Sequence, residues 1–140
     1  MITYFDTSAV LPLLVAEPGS ARAATLWDRA DRVVSVRLLY PEARAALAQA
    51  ERLGRLTHRQ LREVAVEFDD RWSQLDLVEV DAQLAFRAGD LAEIHGLRGY
   101  DAVHLAAADR VRDTDLVVVA GDGAFLHAAS AEGMTIANLA

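Results

Sequence analysis

The chain alternates short runs of β-branched and aromatic residues with longer stretches of helical periodicity. Residues 2–5 read as a short buried strand. Thr7 opens a helix that the pattern ends near Glu17-Pro18-Gly19, a breaker cluster. Ser20 is placed to cap a second helix over residues 21–30, and residues 33–36 form a second strand. A helix over residues 41–53 follows, because the missing N–H of Pro41 is harmless in a first turn, and Gly54 ends it. Thr57 caps the next helix, where Leu61, Val64, Ala65, Phe68, Trp72 and Leu75 recur at helical spacing. Residues 77–80 predict a third strand. Asp81 caps a helix reaching His95, residues 96–100 predict a loop, and Asp101 starts a helix ending near Arg112. Residues 116–120 are a fourth strand. Residues 124–131 are a short helix stopped by Gly133, and residues 135–139 predict a fifth strand. Strands separated by helices give a three-layer α/β/α fold around a central parallel sheet of four to five strands. No repeat or linker divides residues 1–140, so one domain is expected.

That topology gives four acidic residues a common address. The carboxyl ends of parallel strands lie along one edge, and that edge carries the site of such folds. Asp6 closes the first strand, and Asp122 follows the fourth between Gly121 and Gly123. Asp101 heads a nearly all-apolar helix, and Glu42 stands in the first turn of another. Each also has a local reading. Asp6 and Asp101 can cap helices, Glu42 can complement a helix dipole, and Asp122 suits a turn. Brought together, four carboxylates repel unless a cation joins them. Hard oxygen ligands of this kind suit Mg²⁺ or Mn²⁺. The pattern therefore predicts metal-dependent chemistry on phosphate.

Neighbouring residues add less. Ser8 can lend a hydroxyl to the pocket, and Arg44 and Arg98 are candidate phosphate contacts. His104 lies one helical turn after Asp101, where it could face the site, but such a residue is more often a core or boundary histidine. His58, His95 and His127 read as surface or helix-end residues. No histidine pair has zinc-motif spacing, and no Gly-x-Ser-x-Gly elbow supports a serine nucleophile.

Composition then removes several classes. The 140 residues carry a net charge of −7, contain no cysteine, and draw all 14 basic residues from arginine. A disulfide framework and thiolate metal sites are excluded. Without lysine there is neither a P-loop nor a Schiff base. The acidic balance argues against tight non-specific nucleic-acid binding, but not against a nuclease with a small structured substrate. The N-terminus lacks a basic region, and Asp6 interrupts its apolar stretch, so no secretory signal is expected. The apolar run over residues 9–16 is too short to span a bilayer. A cytoplasmic protein with no membrane association is expected. The 53% hydrophobic content exceeds what one sheet needs, which predicts a homodimer interface.

Asp6-Thr7-Ser8-Ala9-Val10, Glu42, Tyr100-Asp101-Ala102-Val103-His104-Leu105-Ala106 and Asp122 occur in an order and spacing that resemble a PIN domain. The opening and the compact length resemble VapC toxins of bacterial toxin–antitoxin pairs. The resemblance covers essentially the whole chain. It implies a Mg²⁺- or Mn²⁺-dependent endoribonuclease acting on RNA. It also implies a homodimer inhibited by a small cognate antitoxin that inserts into the active-site groove. The family's acidic quartet maps onto Asp6, Glu42, Asp101 and Asp122 as catalytic and metal-binding residues, with Asp6 and Asp101 on the principal ion. Two departures stand out. Ala120 occupies a place where the family often has threonine, and Pro41 directly precedes Glu42. Two alternatives stay open. A haloacid-dehalogenase-like phosphatase also starts with an Asp after its first strand, but wants a second Asp where Ser8 stands, and usually a lysine. A catalytically inactive PIN domain would only bind its partner.

Overall fold

In the computed structural model, which describes all 140 residues, five parallel strands form one sheet in the order β3-β2-β1-β4-β5. The strands are β1 (Ile2–Phe5), β2 (Arg32–Val36), β3 (Asp76–Val78), β4 (Leu116–Ala120) and β5 (Thr135–Asn138). Side chains alternate across the pleat. Tyr4, Val34, Val36, Val118 and Ala120 face one core with the helices α5 (Ala82–His95), α6 (Gly99–Arg110) and α7 (Gly123–Ala131). Phe5, Val33, Val119 and Ala137 face the other, with α1 (Thr7–Leu14), α2 (Ser20–Arg29), α3 (Leu39–Arg52) and α4 (His58–Trp72). The expected three-layer arrangement is thus observed. No helix is long and apolar enough to cross a membrane.

The strand order reverses between β1 and β4, where the chain leaves in one direction toward β3 and later returns to the other side. A crevice opens at such a switch point, beyond the carboxyl ends of the strands. Asp6 and Asp122 stand at its two lips, one directly after β1 and the other two residues beyond β4.

Several boundaries differ from the sequence reading. Helix α1 stops at Leu14, where the Val15 N–H closes on the Leu11 carbonyl, rather than at Glu17. Ser20 does not cap α2. Gly19 holds that place, and the Ser20 hydroxyl instead accepts from the Glu17 N–H at 2.9 Å. Helices α3 and α6 each start two residues early, at Leu39 and Gly99. Neither start has a capping side-chain hydrogen bond, so no polar residue marks it. Pro41 sits comfortably in the first turn of α3, where its missing N–H leaves no bond unmade. Strand β3 covers Asp76–Val78 and not residues 77–80. Thr57 does cap α4, in a full capping box with Gln60.

Candidate active site

All four acids line one cavity of about 520 Å³ at the sheet edge, with Thr7, Ser8, Leu11, Leu38, Ala45, Arg98, Tyr100 and His104. Asp6 caps α1: its Oδ1 accepts from the Ala9 N–H at 3.1 Å and from the Ser8 hydroxyl at 2.6 Å. Asp122 caps α7, with Oδ1 accepting from the Ala124 and Phe125 N–H groups at 3.0 and 3.2 Å. Asp101 does not cap α6 but lies within its first turn, where Oδ2 accepts from Arg98 Nε at 3.2 Å. Glu42 Oε1 accepts from the Thr7 hydroxyl at 3.0 Å and lies 2.7 Å from His104 Nε2. Each carboxylate is therefore anchored through one oxygen. Its second oxygen accepts no hydrogen bond within the protein.

Burial makes this site electrostatically expensive. Asp6 is only 4% exposed, and desolvation pushes its carboxyl up to about 6. Nearby His104 and the bonds from Ser8 and Ala9 pull the other way without cancelling it. Burial also raises Asp101, against the opposing hydrogen bond from Arg98. Arg98 supplies the pocket's resident positive charge. It bonds Asp101, lies 3.9 Å from Asp122 Oδ2, and stacks on the Tyr100 ring at 4.8 Å. A guanidinium between two carboxylates stands where a metal cation would satisfy the same charges.

The donor chemistry fits Mg²⁺ or Mn²⁺, since every free atom of the quartet is a carboxylate oxygen. As the side chains stand, no three His, Cys, Asp or Glu groups are close enough to share an ion. The acids share a pocket without closing a coordination shell.

Other sequence candidates separate. Arg44 is not among the cavity's lining residues; it bonds the Tyr40 hydroxyl at 2.9 Å and covers that ring. Two residues beyond Glu42 on a helix, it points to a different face. His58 and His127 are exposed, and His95 ends α5 against Glu132 at 2.8 Å. His104 is both buried and turned to the pocket, so the core reading and the site reading both hold. Thr7, which donates to Glu42 inside the cavity, is a site residue that the sequence reading does not single out. The only sequence signal for Thr7 was its place beside Asp6. The hydroxyl absent at Ala120 has a counterpart in Ser8, which accepts from the Gly121 N–H at 2.8 Å.

The model of the PIN domain family matches residues 3–131. The chain is 45% identical over 136 residues to Ribonuclease VapC49 of Mycobacterium tuberculosis strain H37Rv, covering 97% of this chain and 94% of that protein. Among solved structures it resembles M. tuberculosis VapC20, described as a Sarcin-Ricin loop cleaving toxin, with a TM-score of 0.67 and 21% identity. That match covers 95% of this chain and 96% of VapC20. VapBC2 of Rickettsia felis, bound to a DNA fragment from their promoter, also has a TM-score of 0.67, with 15% identity over 99% of this chain and 98% of that one. The chain belongs to the PIN-domain family, as a member of its VapC type.

Proposed function

We propose that this protein is the endoribonuclease toxin of a toxin–antitoxin pair, hydrolysing RNA phosphodiester bonds in the cytoplasm with Mg²⁺ or Mn²⁺. One observation carries the reading: four acids from four separate segments line one cavity at the strand-order reversal, each leaving one oxygen without a hydrogen bond from the protein. The 45% identity to Ribonuclease VapC49 supports RNA as the substrate. Asp6 and Asp101 would hold the principal ion, with Glu42 and Asp122 completing the site. When bound, the ion supplies charge for the phosphate and lowers the pKa of an attacking water. The protein's own part is placement. Ser8 and the Ala9 N–H fix Asp6, the α7 amides fix Asp122, and Arg98, once released from Asp101, is within the same cavity to meet a phosphate.

Partners follow from the same reading. Phe86 and Ile94, two turns apart on α5, are 76% and 65% exposed, which supports a homodimer face. An antitoxin segment carrying a basic side chain would meet the acidic cavity and block RNA. The phosphatase alternative loses ground because Ser8, where that class wants an Asp, is committed to Asp6 and Gly121.

The test is cleavage of total RNA by purified protein freed of antitoxin. Wild type should cut with Mn²⁺ and stop with chelator, and Asp6→Ala should lose activity while keeping its fold. Wild type that leaves RNA intact with Mn²⁺ present would favour the partner-binding domain.

A further inference from the structure

Behind the acids runs a buried chain of side chains that metal ligation does not account for. Tyr4 on β1 is fully buried, and its hydroxyl lies 2.8 Å from His104 Nδ1. His104 on α6 is 2% exposed, and its Nε2 lies 2.7 Å from Glu42 Oε1. The ring packs edge-on against Tyr4 at 5.9 Å and Phe125 at 6.4 Å. Packing, these two contacts and the Thr7 hydroxyl 3.3 Å from Nε2 thus fix both its position and its rotation. With Glu42 ionised, Nε2 must carry a proton, since a bare nitrogen would face an acceptor oxygen. Tyr4 then completes the pairing as donor to Nδ1.

Glu42 differs from its three companions in how it is held. Asp6 and Asp122 receive backbone N–H groups from their own helices, and Asp101 receives Arg98 from three residues away. Glu42 receives no backbone donor. Its anchors are side chains 35 and 62 residues away in sequence, Thr7 and His104. It is also the longest of the four acids, with the most rotamer freedom to lose.

We propose that His104 is a positioning residue for Glu42. It holds Oε1 together with Thr7, leaves Oε2 to the cavity, and is itself locked by Tyr4. This role rests on the ribonuclease reading. Outer partners that orient ligating carboxylates typically change activity or metal affinity by about 10- to 100-fold when removed.

Steady-state cleavage with Mn²⁺ tests it through four variants: His104→Leu, His104→Gln, Tyr4→Phe and the double variant Glu42→Gln/His104→Leu, compared with Glu42→Gln alone. His104→Leu should lower kcat by about 10- to 100-fold with KM little changed. His104→Gln, whose amide N–H can reach Glu42, should recover most of the loss, and Tyr4→Phe should lie between. In the Glu42→Gln background, His104→Leu should add almost nothing, because the two act as one unit. Ring-nitrogen NMR of the metal-free protein should place a proton on Nε2 beside Glu42. Additive losses in the double variant, full turnover by His104→Leu, or a ring with no Nε2 proton would each overturn the proposal. If His104→Leu does not fold, the His104→Gln and Tyr4→Phe turnovers and the NMR measurement decide. Wild type that cuts no RNA would defeat the ribonuclease reading instead, while the ring proton still reports on the contact.

Discussion

The Ser8 hydroxyl donates to Asp6 Oδ1 at 2.6 Å and accepts from the Gly121 N–H at 2.8 Å. One small side chain thereby ties the acid after β1 to the loop that carries the acid after β4. Ser8→Ala removes both bonds and leaves the Gly121 N–H unsatisfied. We expect a loss of about 1–3 kcal/mol in stability. RNA cleavage should fall further than the lost folded fraction explains. Denaturant melts beside cleavage rates, both at one temperature, check this; unchanged stability would mean that solvent replaces the hydroxyl.

Asp6 makes the metal-free protein pH-sensitive. Its carboxyl titrates at about 6 in the fold, against 3.8 for an unburied group. Between those values the folded state keeps a proton that the unfolded chain has released. Stability therefore falls as pH rises through this window and levels off above it. The separation is worth roughly 3 kcal/mol. Asp6→Asn keeps an oxygen for Ser8 and Ala9 but carries no charge. It should melt higher than wild type at pH 7.5 without metal, and Mn²⁺ should reverse the order by stabilising wild type alone. Thermal melts from pH 4 to 8 read the effect. A wild-type curve that rises across that window would contradict the burial of Asp6.

Arg98 competes with any cation for Asp101 and Asp122. Arg98→Ala should tighten Mn²⁺ binding by roughly two- to five-fold, the range of a partly exposed ion pair. The same change should weaken RNA binding if the guanidinium meets phosphate once displaced. Calorimetry with Mn²⁺, followed by KM for RNA, separates the two. Metal affinity equal to wild type would show that Arg98 does not shield the acids.

Gly19 meets the C-terminal strand without room for a side chain. A Cβ there would lie 2.6 Å from the Leu139 carbonyl oxygen and 3.1 Å from its Cβ. Leu139 in turn donates its N–H to the Ala120 carbonyl at 2.9 Å. Gly19→Ala should push the end of β5 away from β4 and lose about 1–3 kcal/mol. Hydrogen exchange should rise at Leu139 first, and protection equal to wild type would show that the tail simply shifts.

The strands were legible because β-branched runs such as Leu116 to Ala120 carry their own signal. The helices with polar caps, at Thr57 and Asp81, start where the sequence puts them, although Leu75, whose spacing fits the first, lies beyond its end at Trp72. Helices α3 and α6 were set two residues late because their starts carry no side-chain cap to read. The address of the four acids followed from parallel topology alone. The web joining Tyr4, His104, Thr7 and Glu42 could not follow from it. It spans up to 100 residues and joins side chains from β1, α1, α3 and α6, which no local pattern records. Arg98 was noticed for its charge, but its stacking on Tyr100 depends on the early start of α6.

The central place of β1 has a consequence for synthesis on the ribosome. Its partner β4 lies more than a hundred residues later, and Asp122 comes later still. Asp6 emerges long before Asp122, yet its pocket has no far wall until β4 has paired beside it. Such distant pairing forms late. A nascent chain therefore carries no assembled site until β4 and Asp122 have emerged, and cannot attack RNA before then.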